Sequence, residues 1–216
     1  MAHVRSESRL FPALAIAVVI AVLVLVPGRY RAMPPRFEIF AGTLLVGAIL
    51  AAGLAPAASA WNRLERYAIG VVAAFVTCVE IAILSRLLFD MASRRPDLSA
   101  VALLSTAVAI WLINIVVFAL VYWQLDRNGP LGRATAAYGR CDFSFPHGDP
   151  SDGVPANWQP IFADYLFLAF TAATAFSPTD VIPLTPRAKM LMMLESMVSL
   201  VTIAAIAARA INILGG

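Results

Sequence analysis

Glu80, Asn114 and Glu195 each stand inside a long apolar run, and Thr174-Ala175-Phe176-Ser177-Pro178-Thr179-Asp180 closes another. A charge placed mid-membrane costs about 2.5–3.5 kcal/mol on insertion scales, so each of these groups needs a protein partner or a task. Glu80 shares a helical face with Gly70, Ala73 and Thr77, a small and polar stripe suited to packing on protein. It reads either as an ion or proton site or as a hydrogen-bond partner for another helix. Asn114 has Thr106 and Ile110 on its face and reads as interhelical glue. Glu195, Ser199, Thr202 and Arg209 form a polar line that either borders a watery path or anchors the last helix. Arg209 is close enough to the helix end to snorkel.

The stretch S-P-T-D-V-I-P-L-T-P-R-A-K is the most informative. Thr185 followed by Pro186 is a helix start, a hydroxyl cap and then proline at the first helical position. Residues 177–184 are therefore expected to be non-helical, between a short apolar helix and a full span. Unwound backbone at membrane depth is the usual material of ion sites. Asp180, repeated around an oligomer, makes an acidic ring that attracts cations; alternatively Ser177, Thr179 and Asp180 cap their own turn. No nucleophile–base set, zinc spacing or phosphate loop occurs. His147 lies beside Asp142, Asp149 and Asp152 in a proline-punctuated loop that reads as solvated rather than metal-binding. No catalytic residue, metal or cofactor is expected, and the chain is not read as an enzyme.

These groups need elements to carry them, and composition says which. Of 216 residues 61% are apolar and 13% are charged, against roughly 45–50% and 25% in soluble domains. This excludes a soluble enzyme, a disordered tail and a disulfide scaffold. The net charge of +3 and pI near 9.2 come from scattered arginines rather than a basic face, so nucleic acid is not an expected partner. Cys78 and Cys141 are not expected to pair. Apolar runs at 10–26, 39–58, 68–88, 98–123 and 189–214 are long enough for a bilayer core of about 30 Å, the first only just. The first is read as an uncleaved span, because arginines and no small-residue cleavage site follow it. The segment 161–176, between Pro160 and Pro178, is too short to cross and reads as a re-entrant half-helix or a tilted sixth span.

The expectation is an all-α integral membrane protein of five transmembrane helices plus one re-entrant half-helix. Residues 1–97 hold three spans. Residues 98–216 hold a helix, an outer loop at 124–160, the half-helix, a turn at 177–184 and a last helix at 186–214. Arg29, Arg31, Arg36, Arg86, Arg94, Arg95 and Arg209 share one side, which makes it and the C-terminus cytoplasmic.

The order outer helix, long loop, D-Y-L-F-L-A-F-T-A-A-T-A-F-S-P-T-D and R-A-K-M-L-M-M-L-E resembles the two-helix pore module of the pore-loop (potassium-channel-like) superfamily. The resemblance implies that Thr174 and Asp180 bracket a filter and that Arg187 and Glu195 open the inner helix. It also implies an oligomeric cation pore, most plausibly a tetramer passing monovalent cations. Within that group the chain is similar to a family of uncharacterised bacterial integral membrane proteins. The shared signatures are D-F-x-F-P (Asp142 to Pro146), Trp158, D-Y-L-x-x-A-F-T (Asp164 to Thr171) and S-x-T-D (Ser177 to Asp180). That implies a multi-pass protein of the bacterial plasma membrane. Between Thr174 and Asp180 there is no glycine, and Pro178 fixes a dihedral and removes an amide, so a potassium-type filter is not expected. Two further readings are a non-conducting structural or interaction protein on the same fold, and a small-solute or proton transporter using Glu80 and Glu195.

Overall fold

The computed structural model describes residues 8–31, 34, 36, 39–40, 42–43, 46–47, 49–50, 59–93, 100–134, 141–146, 158–174 and 181–214, without the side chains of 25, 59–62, 100 and 209–214. The chain is mostly helical: α1 (Leu10–Leu25), α2 (Ser59–Ala92), α3 (Ala100–Leu125), a 3-10 turn (Asp126–Asn128), α4 (Gly129–Ala134), α5 (Phe162–Thr174) and α6 (Pro186–Leu214). Two short strands, β1 (Phe143–Ser144) and β2 (Ile182–Pro183), pair antiparallel with Phe143 opposite Pro183. Three helical stretches are long and apolar enough to cross a membrane: Arg63–Ala92, Val101–Ala134 and Pro186–Ala208. This is a membrane protein by that measure. The described residues from Arg36 to Leu50 are also helical.

The third apolar run, expected at 68–88, is a helix from 59 to 92. Arg63, Glu65, Arg66 and Asp90 set the limits of apolarity, but no proline stands in this interval, so nothing local ends the helix there. The loop expected at 124–160 begins instead with ordered turns. Arg127, Asn128 and Gly129 take φ of 49°, 62° and 82°, which ends α3 in three left-handed residues. At Gly129 an added Cβ would lie 2.6 Å from Gln124 Oε1, and at Gly132 it would collide with the Arg127 carbonyl.

Side-chain contacts fix which ends meet. Arg9, just before α1, pairs with Glu65 of α2 at 3.4 Å, and Arg66 donates to Asn128 just after α3. These make the upper end. At the lower end Arg29 and Tyr30, after α1, donate to Asp90 near the end of α2, at 3.2 and 3.0 Å. Burial first, and then Asp90, pushes the Tyr30 phenol above its ordinary value. Thus α1 and α2 both run downward and α3 runs upward. At the centre of the bundle, α3 touches α1, α2, α5 and α6. Its buried side chains include Ile110, Asn114, Phe118, Tyr122 and Trp123.

Candidate functional site

At the upper end Asp126, just past α3, is 1% exposed. Its Oδ1 accepts the Asp142 and Phe143 amides at 2.8 and 3.4 Å, and its Oδ2 accepts the Tyr165 hydroxyl of α5 at 2.7 Å. Asp142 is fully buried and accepts the Thr185 hydroxyl at 2.5 Å. Arg187 grips both oxygens of Asp142, with Nε at 2.7 Å and Nη2 at 2.6 Å. The Leu184 amide donates to the Asp142 carbonyl at 2.8 Å. Two carboxylates therefore tie the end of α3, β1, the start of α5 and the start of α6 into one clasp. Arg133, 2% exposed, donates to the carbonyls of Trp123 and Asp126 at 2.7 and 3.1 Å, closing the C-terminal end of α3. Its guanidinium also lies 5.0 Å from the Tyr165 ring centre.

Both α5 and α6 begin at this clasp and run downward side by side. Asp164 takes the Ile161 amide at 2.7 Å, the reciprocal half of a capping box, and its charge suits a helix N-terminus. Thr185 caps α6, accepting the Ala188 amide at 3.3 Å, as the T-P pair leads one to expect. After 13 residues, roughly 20 Å, α5 ends against the middle of α6. There the Ser199 hydroxyl donates to the Ala173 carbonyl at 2.5 Å and Ser196 to the Ala172 carbonyl at 3.3 Å. These two serines give the last described carbonyls of α5 a donor inside the protein. By Val181 to Thr185 the chain is again at the clasp.

At that middle level, Tyr122 of α3 donates its hydroxyl to Glu195 Oε2. The Asn114 amide nitrogen donates to the Glu195 carbonyl at 3.2 Å. Glu195, Asn114, Ser199 and Thr202 are all fully buried, so the polar line on α6 turns toward protein. The opposite face of α6 exposes Met190, Met193, Met197 and Leu200. Of the stripe around Glu80, Ala73, Thr77 and Glu80 are buried, and Gly70 lies at its exposed edge. Thr174 is half-buried and donates to the Thr171 carbonyl at 3.2 Å. Ala175, Phe176, Ser177, Pro178, Thr179 and Asp180 lie outside the described residues, as does the Arg209 side chain.

The structure thus brings Asn114 and Glu195 together. Tyr122, Ser196, Asp126 and Tyr165 belong to the same architecture without having been singled out by sequence. Tyr122 had one available signal: it sits two turns from Asn114, on the neighbouring part of the α3 surface. Cys78 and Cys141 are unpaired, and among the described residues no group of histidine, cysteine and acidic side chains could hold a metal ion. An apolar groove of about 420 Å³ between α3 and α5 is lined by Trp111, Ile115, Phe167 and Phe170. Comparison with protein-family models, curated proteins and solved structures finds no match for this chain.

Proposed function

We propose that the protein is a pore-loop membrane protein of five crossing helices and one re-entrant half-helix, which assembles in several copies and passes cations at the turn after α5. One observation carries this reading: α5 starts at the upper clasp and ends at mid-bundle on Ser196 and Ser199, while the chain is back at the clasp by Val181 to Thr185. A helix of 13 residues does not cross a bilayer, and a helix end at that depth is tolerated where protein satisfies its carbonyls. Since α1 and α2 both run downward, the chain between them returns upward, which supports a span over 39–58 and an odd number of crossings.

The lower side, with Arg29, Arg31 and Arg36, is then cytoplasmic, and the clasp faces outside. Taken with the family resemblance, the location is the bacterial plasma membrane. The partial negative charge at the C-terminal end of α5 lies at membrane depth and favours cations there, beside Thr174 and the 175–180 turn. A single half-helix encloses no pathway, so the reading requires several copies, most simply four.

The test is the mass of the protein in nanodiscs, followed by flux of monovalent cations into liposomes. A tetramer is expected, with flux reduced about tenfold or more by Asp180→Ala through loss of the acidic ring. A stable monomer, or flux indifferent to Asp180→Ala and Thr174→Ala, overturns conduction. The second reading, a non-conducting scaffold on the same fold, is favoured by one fact: Asn114, Tyr122, Glu195 and Ser199 are all spent on holding helices together.

A further inference from the structure

Six acidic side chains are buried among the described residues, and five of them have a donor or a cation. Glu65 has Arg9, Asp90 has Arg29 and Tyr30, and Glu195 has Tyr122. Asp126 and Asp142 share the upper clasp. The sixth, Glu80, is 2% exposed, and both of its oxygens are buried without a hydrogen-bond partner. An isolated ionised carboxylate in such a place costs several kcal/mol.

Its surroundings identify what would complete it. One turn below Glu80, Leu84 packs in a cluster with Ile110 of α3 and Val198 of α6. Above it, Ala73 packs with Ile113 and Val117 of α3. Asn114 stands on α3 between those two sets. The antiparallel register that brings Arg66 to Asn128 also brings Glu80 to the level of Asn114, since each lies equally far along its helix. The Asn114 nitrogen is committed to the Glu195 carbonyl, which leaves its buried Oδ1 without a partner. The polar atoms left open around Asn114, namely Glu80 Oε1 and Oε2, Asn114 Oδ1 and Glu195 Oε1, are all acceptors while both acids are ionised. What such a seam lacks is a donor.

We propose that Glu80 is a proton-binding site: the carboxyl is held as the neutral acid, with its O–H directed at Asn114 Oδ1 across the seam between α2 and α3. The titratable groups turned toward it are few. Among the described residues the nearest on α6 is Glu195 and the nearest on α3 is Tyr122, whose hydroxyl is given to Glu195 Oε2 while Glu195 Oε1 has no partner; the described residues of α1 contribute none at this level. Arg29, Tyr30 and Asp90 lie at the lower end and are engaged with one another. Release of the proton to solvent leaves a bare carboxylate between two helices and loosens α2 from α3. Because Asn114 also holds the Glu195 backbone, the loosening reaches α6. This inference concerns the N-terminal helices and stands whether or not the protein conducts.

The experiment uses the full chain in detergent: wild type, Glu80→Gln and, as control, Glu195→Gln, alone and combined with Glu80→Gln. Infrared spectra near neutral pH are expected to show a protonated-carboxyl C=O band that survives Glu195→Gln and is lost when Glu80→Gln is added to that variant. A native state that keeps a proton the unfolded chain releases loses stability as pH rises, by about tenfold in the folding equilibrium per pH unit. The wild type should show that slope relative to Glu80→Gln, whose amide donates without titrating. Absence of the band in the Glu195→Gln protein, or equal slopes for wild type and Glu80→Gln, overturns the proposal. If Glu80→Gln does not fold, the spectrum of Glu195→Gln alone decides.

Discussion

Asp126→Ala is expected to unfasten the upper end of the bundle. The carboxylate is buried and serves two backbone amides and the Tyr165 hydroxyl. Alanine leaves all three donors inside the protein without an acceptor. Each orphaned group costs about 1–3 kcal/mol, and loss of a buried charged hub about 3–5 kcal/mol in all. For a chain of this size that lowers the melting temperature by about 6–20 °C. Asp126→Asn keeps one accepting oxygen and should lose clearly less. Thermal unfolding in detergent measures both, and an alanine variant within about 2 °C of wild type would contradict the hub role.

The second large effect is expected at Arg187. Its alanine variant leaves the fully buried Asp142 carboxylate with the Thr185 hydroxyl but without its cation. Removing one partner of a wholly buried pair costs about 3–5 kcal/mol. The Arg187 side chain is 54% exposed, so solvent already screens part of the attraction and about 2–3 kcal/mol is the better figure. Arg187→Lys keeps the charge but not the grip on two oxygens, and should fall between wild type and alanine. Equal melting temperatures for Lys and Ala would mean that the charge, rather than the two-point geometry, contributes nothing beyond packing.

What the sequence made legible follows the range of the interactions. The start of α6 is written in adjacent residues, Thr185 then Pro186, and the cap forms where the pair predicts. The short helix is equally local: a proline before it, Asp164 in its first turn and too few residues to cross, and within the expected 161–176 the described helix runs over 162–174. The clasp is not local. Asp142 meets Arg187 across 45 residues, Asp126 meets Tyr165 across 39, and Tyr122 meets Glu195 across 73. No periodicity announces such pairs, so Asp126 fell unremarked inside the outer loop expected at 124–160. D-R-N-G lies inside the loop expected at 124–160, and its left-handed turn is tight and packed although its composition is that of an exposed linker. The intramembrane acids were visible as anomalies, but only their surroundings separate Glu195, which has a donor, from Glu80, which has none.

The serines at the foot of α5 also constrain the order in which the protein can be made. Ala172 and Ala173 offer their carbonyls to hydroxyls 24 and 26 residues further along the chain. During synthesis from the N-terminus, α5 therefore exists before the residues that satisfy its lower end. Left at membrane depth in that interval, its terminal carbonyls would face hydrocarbon, each at a cost of several kcal/mol. On the proposed re-entrant reading, stable seating of α5 at that depth therefore requires α6 to be present as far as Ser199. On that reading the two helices settle as a pair, and the clasp at Asp126 and Asp142 joins their upper ends.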